Sequence, residues 1–295
     1  MGEFSKIKVH CSQCDGENIV KFDELRNLKF IRCSSCGNFF NLFGLYRSLY
    51  DKIELCKVMV DIFAQNLYSD YFIEPKNSKD DVGIINKILL NNSFNELLKQ
   101  IIFDIVLYGN SFIHVNKNYK LTRIDLSKIE FIIDFVNRKP FKSFSYEIVK
   151  LKELKKLFKS YDTKEVLHFI GEPSIDGRPL GESICGFYFD SWYLLREVPE
   201  PILIMKSQNV DVSKIEWFRD FEESNIIGAS GIPHKDIFPW YQITAVIDQM
   251  EKNRFKNIIR RRRNNISRVM EREFFPKILN RKFESDSFPR FKFIS

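Results

Sequence analysis

Histidine and cysteine are scarce in this chain, with four and six among 295 residues, and no stretch of eighteen uncharged apolar residues occurs. The missing apolar stretch excludes a transmembrane helix, which needs about 20 mostly apolar residues to cross the hydrocarbon core, and no membrane partner is expected. The N-terminal ten residues have no apolar h-region, so no secretory signal peptide is expected there. No Gly-x-x-x-x-Gly-Lys-Ser/Thr loop is present, although residues 171–183 hold three glycines, and a nucleotide site is therefore not expected. No Ser/His/Asp or Cys/His set is visible, so the chain does not read as an enzyme. His114 and His168 fall in expected strands and read as structural. The acidic neighbours Asp80 and Asp81, and Glu222 and Glu223, read as solvated surface. No internal repeat and no low-complexity tract is found.

Six cysteines are too few for a disulfide scaffold, but four of them form two C-x-x-C knuckles. Cys11 and Cys14 make the first, Cys33 and Cys36 the second, with eighteen residues between the inner pair. That spacing matches a Cys₄ zinc ribbon, in which two turns offer four thiolates to one tetrahedral ion. Four Cys ligands leave no position for a catalytic water, so Zn²⁺ here would be structural. It would also supply folding energy that a ribbon of some 35 residues cannot draw from its own core. His10, beside Cys11, stands as an alternative ligand. Gly37 follows the second knuckle, where a positive φ turns amides toward the sulfurs. Cys56 and Cys185 read as buried free thiols. Reduced thiols beside a zinc site suit a cytosolic environment.

Charge is unevenly placed. The formal net charge is +7, yet residues 251–295 alone carry 14 basic and 5 acidic groups. Arg260, Arg261, Arg262 and Arg263 run consecutively, with Arg254, Lys256, Arg268 and Arg272 nearby. Four consecutive helical positions go round the axis, so they cannot share one face. Two readings stay open: a solvated face paired with carboxylates, or contact with DNA or a capsid partner. Under the second, affinity falls steeply with salt. Residues 1–50, which contain the ribbon, carry a net +2, modest for a DNA binder, which favours protein docking or capping as the ribbon's task. Phe238, Trp240 and Tyr241 read as packing rather than a base-stacking platform.

The 29 phenylalanines predict an aromatic core. Leu49, Ile53, Cys56, Val60, Phe63 and Leu67 recur at helical spacing and predict one helix over residues 45–69. Residues 70–81, with Pro75, Asn77 and Ser78, read as a loop, and residues 82–91 as a short helix. Residues 93–108 predict a helix N-capped by Ser93 with Glu96 completing a capping box. Its buried face is Phe94, Leu97, Leu98, Ile101, Ile102 and Ile105. Gly109 stops it, and residues 111–115 and 119–125 then form a hairpin. Further strands are expected at 129–134, 141–149, 166–170 and 201–206. Helices are expected at 151–160, 184–197 (Ser183 as its N-cap) and 211–224. Residues 241–280 read as one long helix or a broken one.

The order of these elements resembles the tailed-bacteriophage portal, or head-to-tail connector, family. The resemblance rests on a helix ending in Tyr108-Gly109-Asn110, then residues 121–134, and then Val166-Leu167-His168-Phe169 leading to Gly181-Glu182-Ser183. Residues 48–75 are similar to the family's first helix and residues 266–283 to its late helix. It implies an α+β fold: a small zinc ribbon over residues 1–42, a portal-like mixed wing, stem and clip region over 43–240, and a basic long helix and tail over 241–295. It further implies a homo-oligomeric ring, typically a dodecamer, at a capsid vertex of a virion assembled in the host cytoplasm. Partners would be terminase, capsid and head-completion proteins, and double-stranded DNA in the channel. The alternative is a monomeric zinc-ribbon regulator that binds nucleic acid through the arginine helix.

Overall fold

The computed structural model describes residues 6–11, 14–21, 31–76, 78–126, 132–133, 146–147, 165–173, 180–185, 232, 245–281, 284 and 288–294. The expected elements at 151–160, 201–206 and 211–224, most of the helix at 184–197, Phe238, Trp240, Tyr241 and His234 lie outside those residues.

Each knuckle is the turn of its own short hairpin. β1 (Lys6–His10) pairs antiparallel with β2 (Glu17–Lys21), and β3 (Ile31–Arg32) with β4 (Phe39–Phe40). Asn41 then caps α1 (Leu42–Lys52): its Oδ1 accepts from Gly44 N at 2.9 Å, and its Nδ2 donates to Leu126 O at 3.1 Å. A fully buried amide therefore fixes the junction between ribbon and body.

The single helix expected over 45–69 is two. α1 ends at Lys52, Ile53 is extended (φ −114°, ψ 110°), and α2 runs over Glu54–Leu67. A one-residue break leaves the apolar stripe nearly in phase, so its period does not reveal the bend. Residues 71–74, expected as loop, form β5 (Tyr71–Glu74), which pairs with β13 (Arg290–Phe293). Tyr71 stacks on Phe291 at 4.7 Å, and both pack edge-on to Phe94. α3 (Lys79–Asn91) starts earlier than expected because Ser78 caps it through Asp81 N.

α4 (Phe94–Leu107) buries the six residues foreseen for it, together with Asp104. Its start differs. Ser93 is left-handed (φ 48°, ψ 48°) and makes no side-chain cap, while Glu96 pairs with Lys99 at 2.8 Å. Only Asn92 and Ser93 join α3 to α4, so Ser93 has to reverse the chain and cannot take the extended conformation of an N-cap. Gly109 follows α4 with φ +76°, as expected.

β6 (Asn110–Val115) is the centre of a three-stranded sheet, between β10 (Val166–Ile170) and β7 (Leu121–Arg123). β7 is shorter than the expected 119–125, since Tyr119 turns left-handed (φ 57°). β8 (Ile132–Ile133) pairs with β9 (Tyr146–Glu147), and β11 (Glu172–Pro173) with β12 (Gly181–Glu182). All pairings among the described residues are antiparallel, and the architecture is mixed, with helices beside several small sheets.

The C-terminal helix is interrupted. α5 (Ala245–Val269) passes into a π turn (Met270–Phe274) and then α6 (Phe275–Leu279). Pro276 has no N–H and its ring crowds the carbonyl four residues earlier, so the wider turn just before it relieves that clash. Phe274 and Phe275 are fully buried, and Phe255 meets Phe63 of α2 edge-on at 5.0 Å. No helix among the described residues is long and apolar enough to cross a membrane.

Candidate metal centre, motif cluster and basic helix

The four knuckle cysteines converge. Their Sγ atoms all lie within 4.8 Å of one another, with Cys11 to Cys36 at 3.8 Å and Cys14 to Cys33 at 3.6 Å. All four are free thiols, and these separations far exceed a disulfide bond of about 2.05 Å. They do match the edge of a tetrahedron whose centre is about 2.3 Å from each sulfur, which is about 3.8 Å. The donor set thus fits one tetrahedral metal ion.

The two knuckles repeat one backbone pattern. Cys11 N donates to Gly16 O and Asp15 N to Cys11 O, both at 3.0 Å. Cys33 N donates to Asn38 O at 2.8 Å and Gly37 N to Cys33 O at 3.0 Å. Asp15 and Gly37 therefore hold equivalent places, and both have positive φ, 61° and 74°. Composition pointed to Gly37; Asp15 carried no such signal. Asn18, buried and unforeseen, donates to Gly16 O and to Cys33 Sγ and accepts from Ser34 N at 2.8 Å. It orients the Cys33 sulfur, as outer partners at metal sites orient a ligand. The Cys36 amide leads in pulling Cys33 down to about 6. The Gly16 amide is the largest single influence on Cys14 and lowers it, but the three neighbouring thiols and burial together outweigh it and push Cys14 up to about 12. His10 turns away, its Nδ1 lying 2.9 Å from Asp15 O.

Three stretches far apart in sequence meet at a second cluster. Asn110 Nδ2 donates to Tyr108 O at 3.0 Å and Gly181 O at 3.2 Å. Its Oδ1 accepts from Gly181 N at 2.8 Å and from His168 Nε2 at 2.9 Å. The two carbonyls fix the amide's orientation, which makes His168 a donor through Nε2. Its ring stacks on Phe112 at 4.2 Å, and burial pushes it down to about 3. Ser183 Oγ donates to Leu107 O, closing the end of α4. Gly109 and Gly181 touch through their backbones, and a Cβ on either would collide with the other's carbonyl oxygen. Beside them, buried Asp104 takes two guanidinium bonds from Arg123 at 2.6 Å and one from Ser111 at 3.1 Å. Burial raises the Asp104 carboxyl, and those three donors pull it back toward the charged form. Cys56 and Cys185 are both buried thiols, as expected.

The arginine run splits. Arg262 is 2% exposed, its guanidinium 4.3 Å from the Phe63 ring and 3.8 Å from Glu172 Oε1. Its Nε and Nη1 and that Oε1 make no hydrogen bond, and burial brings Arg262 down to about 10. Arg263 caps α2 by donating to the carbonyls of Asn66, Leu67 and Tyr68 at 3.0 to 3.4 Å. Arg262 is enclosed in the protein and presents little to a phosphate, whereas Arg263 spends three donors on carbonyls but stays partly exposed. Arg260 and Arg261 face outward, Arg260 on Asn257 Oδ1 and Arg261 3.4 Å from Glu172. Arg254, Lys256 and Arg268 are exposed as well.

No protein-family model matches the chain, and neither does any curated protein.

Proposed function

We propose that the chain is a portal-like connector subunit, with the four-cysteine centre holding a structural Zn²⁺. Its copies would form a ring at a capsid vertex through which DNA is packaged and ejected, with terminase and head-completion proteins docking on it. The zinc ribbon would be a docking or capping module held to the body through Asn41. The subunit itself would perform no catalysis. The observation that supports this reading is the motif cluster. The Tyr-Gly-Asn turn, the strand histidine and the Gly-x-Ser turn carry the resemblance separately in sequence, and here Asn110 binds the other two directly. Motifs that meet in space belong to one structural unit, which is what a shared fold requires and chance matches do not.

Mass photometry of the purified full chain tests the reading. A particle of about ten or more copies supports it. A 35 kDa monomer at every salt concentration, with no rings in negative-stain images, overturns it and favours the monomeric zinc-ribbon regulator instead. Elemental analysis should find about one zinc per chain.

A further inference from the structure

α5, the π turn and β13 enclose an open groove of about 1020 Å³. Its helical wall presents Lys256, Arg260, Asn264, Arg268 and Arg272, one residue every fourth position. Such a row drifts round a regular α-helix by about 40° per step. The π turn over Met270–Phe274 takes more residues per turn and reduces the drift over the last step, from Arg268 to Arg272. Steps along the row are about 6 Å apart, comparable with one nucleotide of an extended strand. The opposite wall adds Arg290 and Lys292 from β13. Among the residues lining the groove, Glu271 is the one carboxylate, and its Oε1 is occupied by Phe291 N at 2.9 Å.

We infer that this groove binds the sugar–phosphate backbone of a nucleic acid, without reading bases. Cations on two walls make a trough of positive potential. Phe255, Phe288 and Phe291 beneath it are buried, and the partly exposed ring of Phe293 has the Arg263 guanidinium over it at 5.5 Å, so the groove offers neither an open face for base stacking nor an open pocket for the aromatic anchors of a peptide. Phosphate is the chemistry that remains matched. This deepens the DNA contact in the reading above but does not depend on ring formation, because both walls belong to one chain.

Fluorescence anisotropy of the full chain with a labelled single strand and a labelled duplex, across a salt series, tests it. Wild type should bind either or both, with the affinity falling steeply as salt rises. Arg268→Gln/Arg272→Gln/Arg290→Gln should weaken binding about tenfold or more and flatten the log–log slope by about 2. The matching triple Lys variant should restore both. Lys57→Gln/Lys87→Gln/Lys99→Gln removes the same charge from exposed positions away from the groove and should leave the slope unchanged. The inference is overturned by absent wild-type binding, by equal loss in the two Gln triples, or by poly-glutamate competing better than nucleic acid, which would mark an acidic protein partner. Ring formation is read separately by mass photometry, so a monomer that binds as described sinks the ring and keeps the groove.

Discussion

The ribbon and the helical body solve one problem, joining stretches distant in sequence, with different chemistry. In the ribbon the described buried apolar side chains beyond the sulfurs are Val9, Val20 and Phe40, and closure falls to four thiols. In the body Phe63, Phe112, Phe169, Phe274 and Phe291 are all buried, and hydrogen bonds at Asn110 set the register. A metal bond concentrates stability in one place that one reagent can remove. Packing spreads it over many contacts, each of which can be lost with a graded cost.

Metal removal should separate the two regions most sharply. Chelation withdraws binding free energy on the order of 10 kcal/mol, more than so small a ribbon can replace. Amide exchange should then show loss of protection over residues 6–40 while residues 94–107 stay protected. Collapse of protection in both regions at the same chelator concentration would mean that the body leans on the ribbon.

The body has its own weak point at Gly109. Gly109→Ala places a side chain at φ +76° and drives a Cβ into the Gly181 carbonyl. We expect a loss of about 3 kcal/mol or more in chemical denaturation, with zinc stoichiometry unchanged. A neutral result would show that the two turns can part without harm.

The most gradual effect is pH-dependent and again confined to the body. His168 sits at about 3 when folded, because burial disfavours its charged form, against about 6.5 unfolded. A depressed folded value gives stability that is fully present above pH 6.5 and is lost as pH falls toward 3. The slope in that window is at most about 1.4 kcal/mol per pH unit. His168→Gln should flatten the slope, and an unchanged profile would show that the ring is protonated without unfolding.

Local chemistry was legible in the sequence. C-x-x-C spacing located the four-cysteine cluster, the apolar stripe of α4 gave its buried face, and Gly109 marked its end. What was hidden is non-local. β5 carries the breaker Pro75 just beyond it and finds its partner at residues 290–293, and no short window of sequence reports that pairing. Ser93 has the composition of a cap, but the two-residue connection makes it a reversal point. The inward course of Arg262 and the capping role of Arg263 depend on where α2 lies, and four identical letters do not distinguish inside from outside. Asn110 looked like an ordinary turn residue, and three of its four bonds appear only when residues 168 and 181 arrive.

The β5–β13 pairing sets a schedule for synthesis. Tyr71 is made early, yet its partner Phe293 leaves the ribosome more than two hundred residues later. At about 5–20 residues per second, β5 waits roughly 10 to 40 s with an unpaired edge beside exposed aromatic rings. The ribbon has no such delay, because both of its hairpins are complete by residue 40. A nascent chain would thus carry a tip with both hairpins finished ahead of an unfinished body, and chaperone contacts should concentrate between residues 54 and 107 until the last strand arrives.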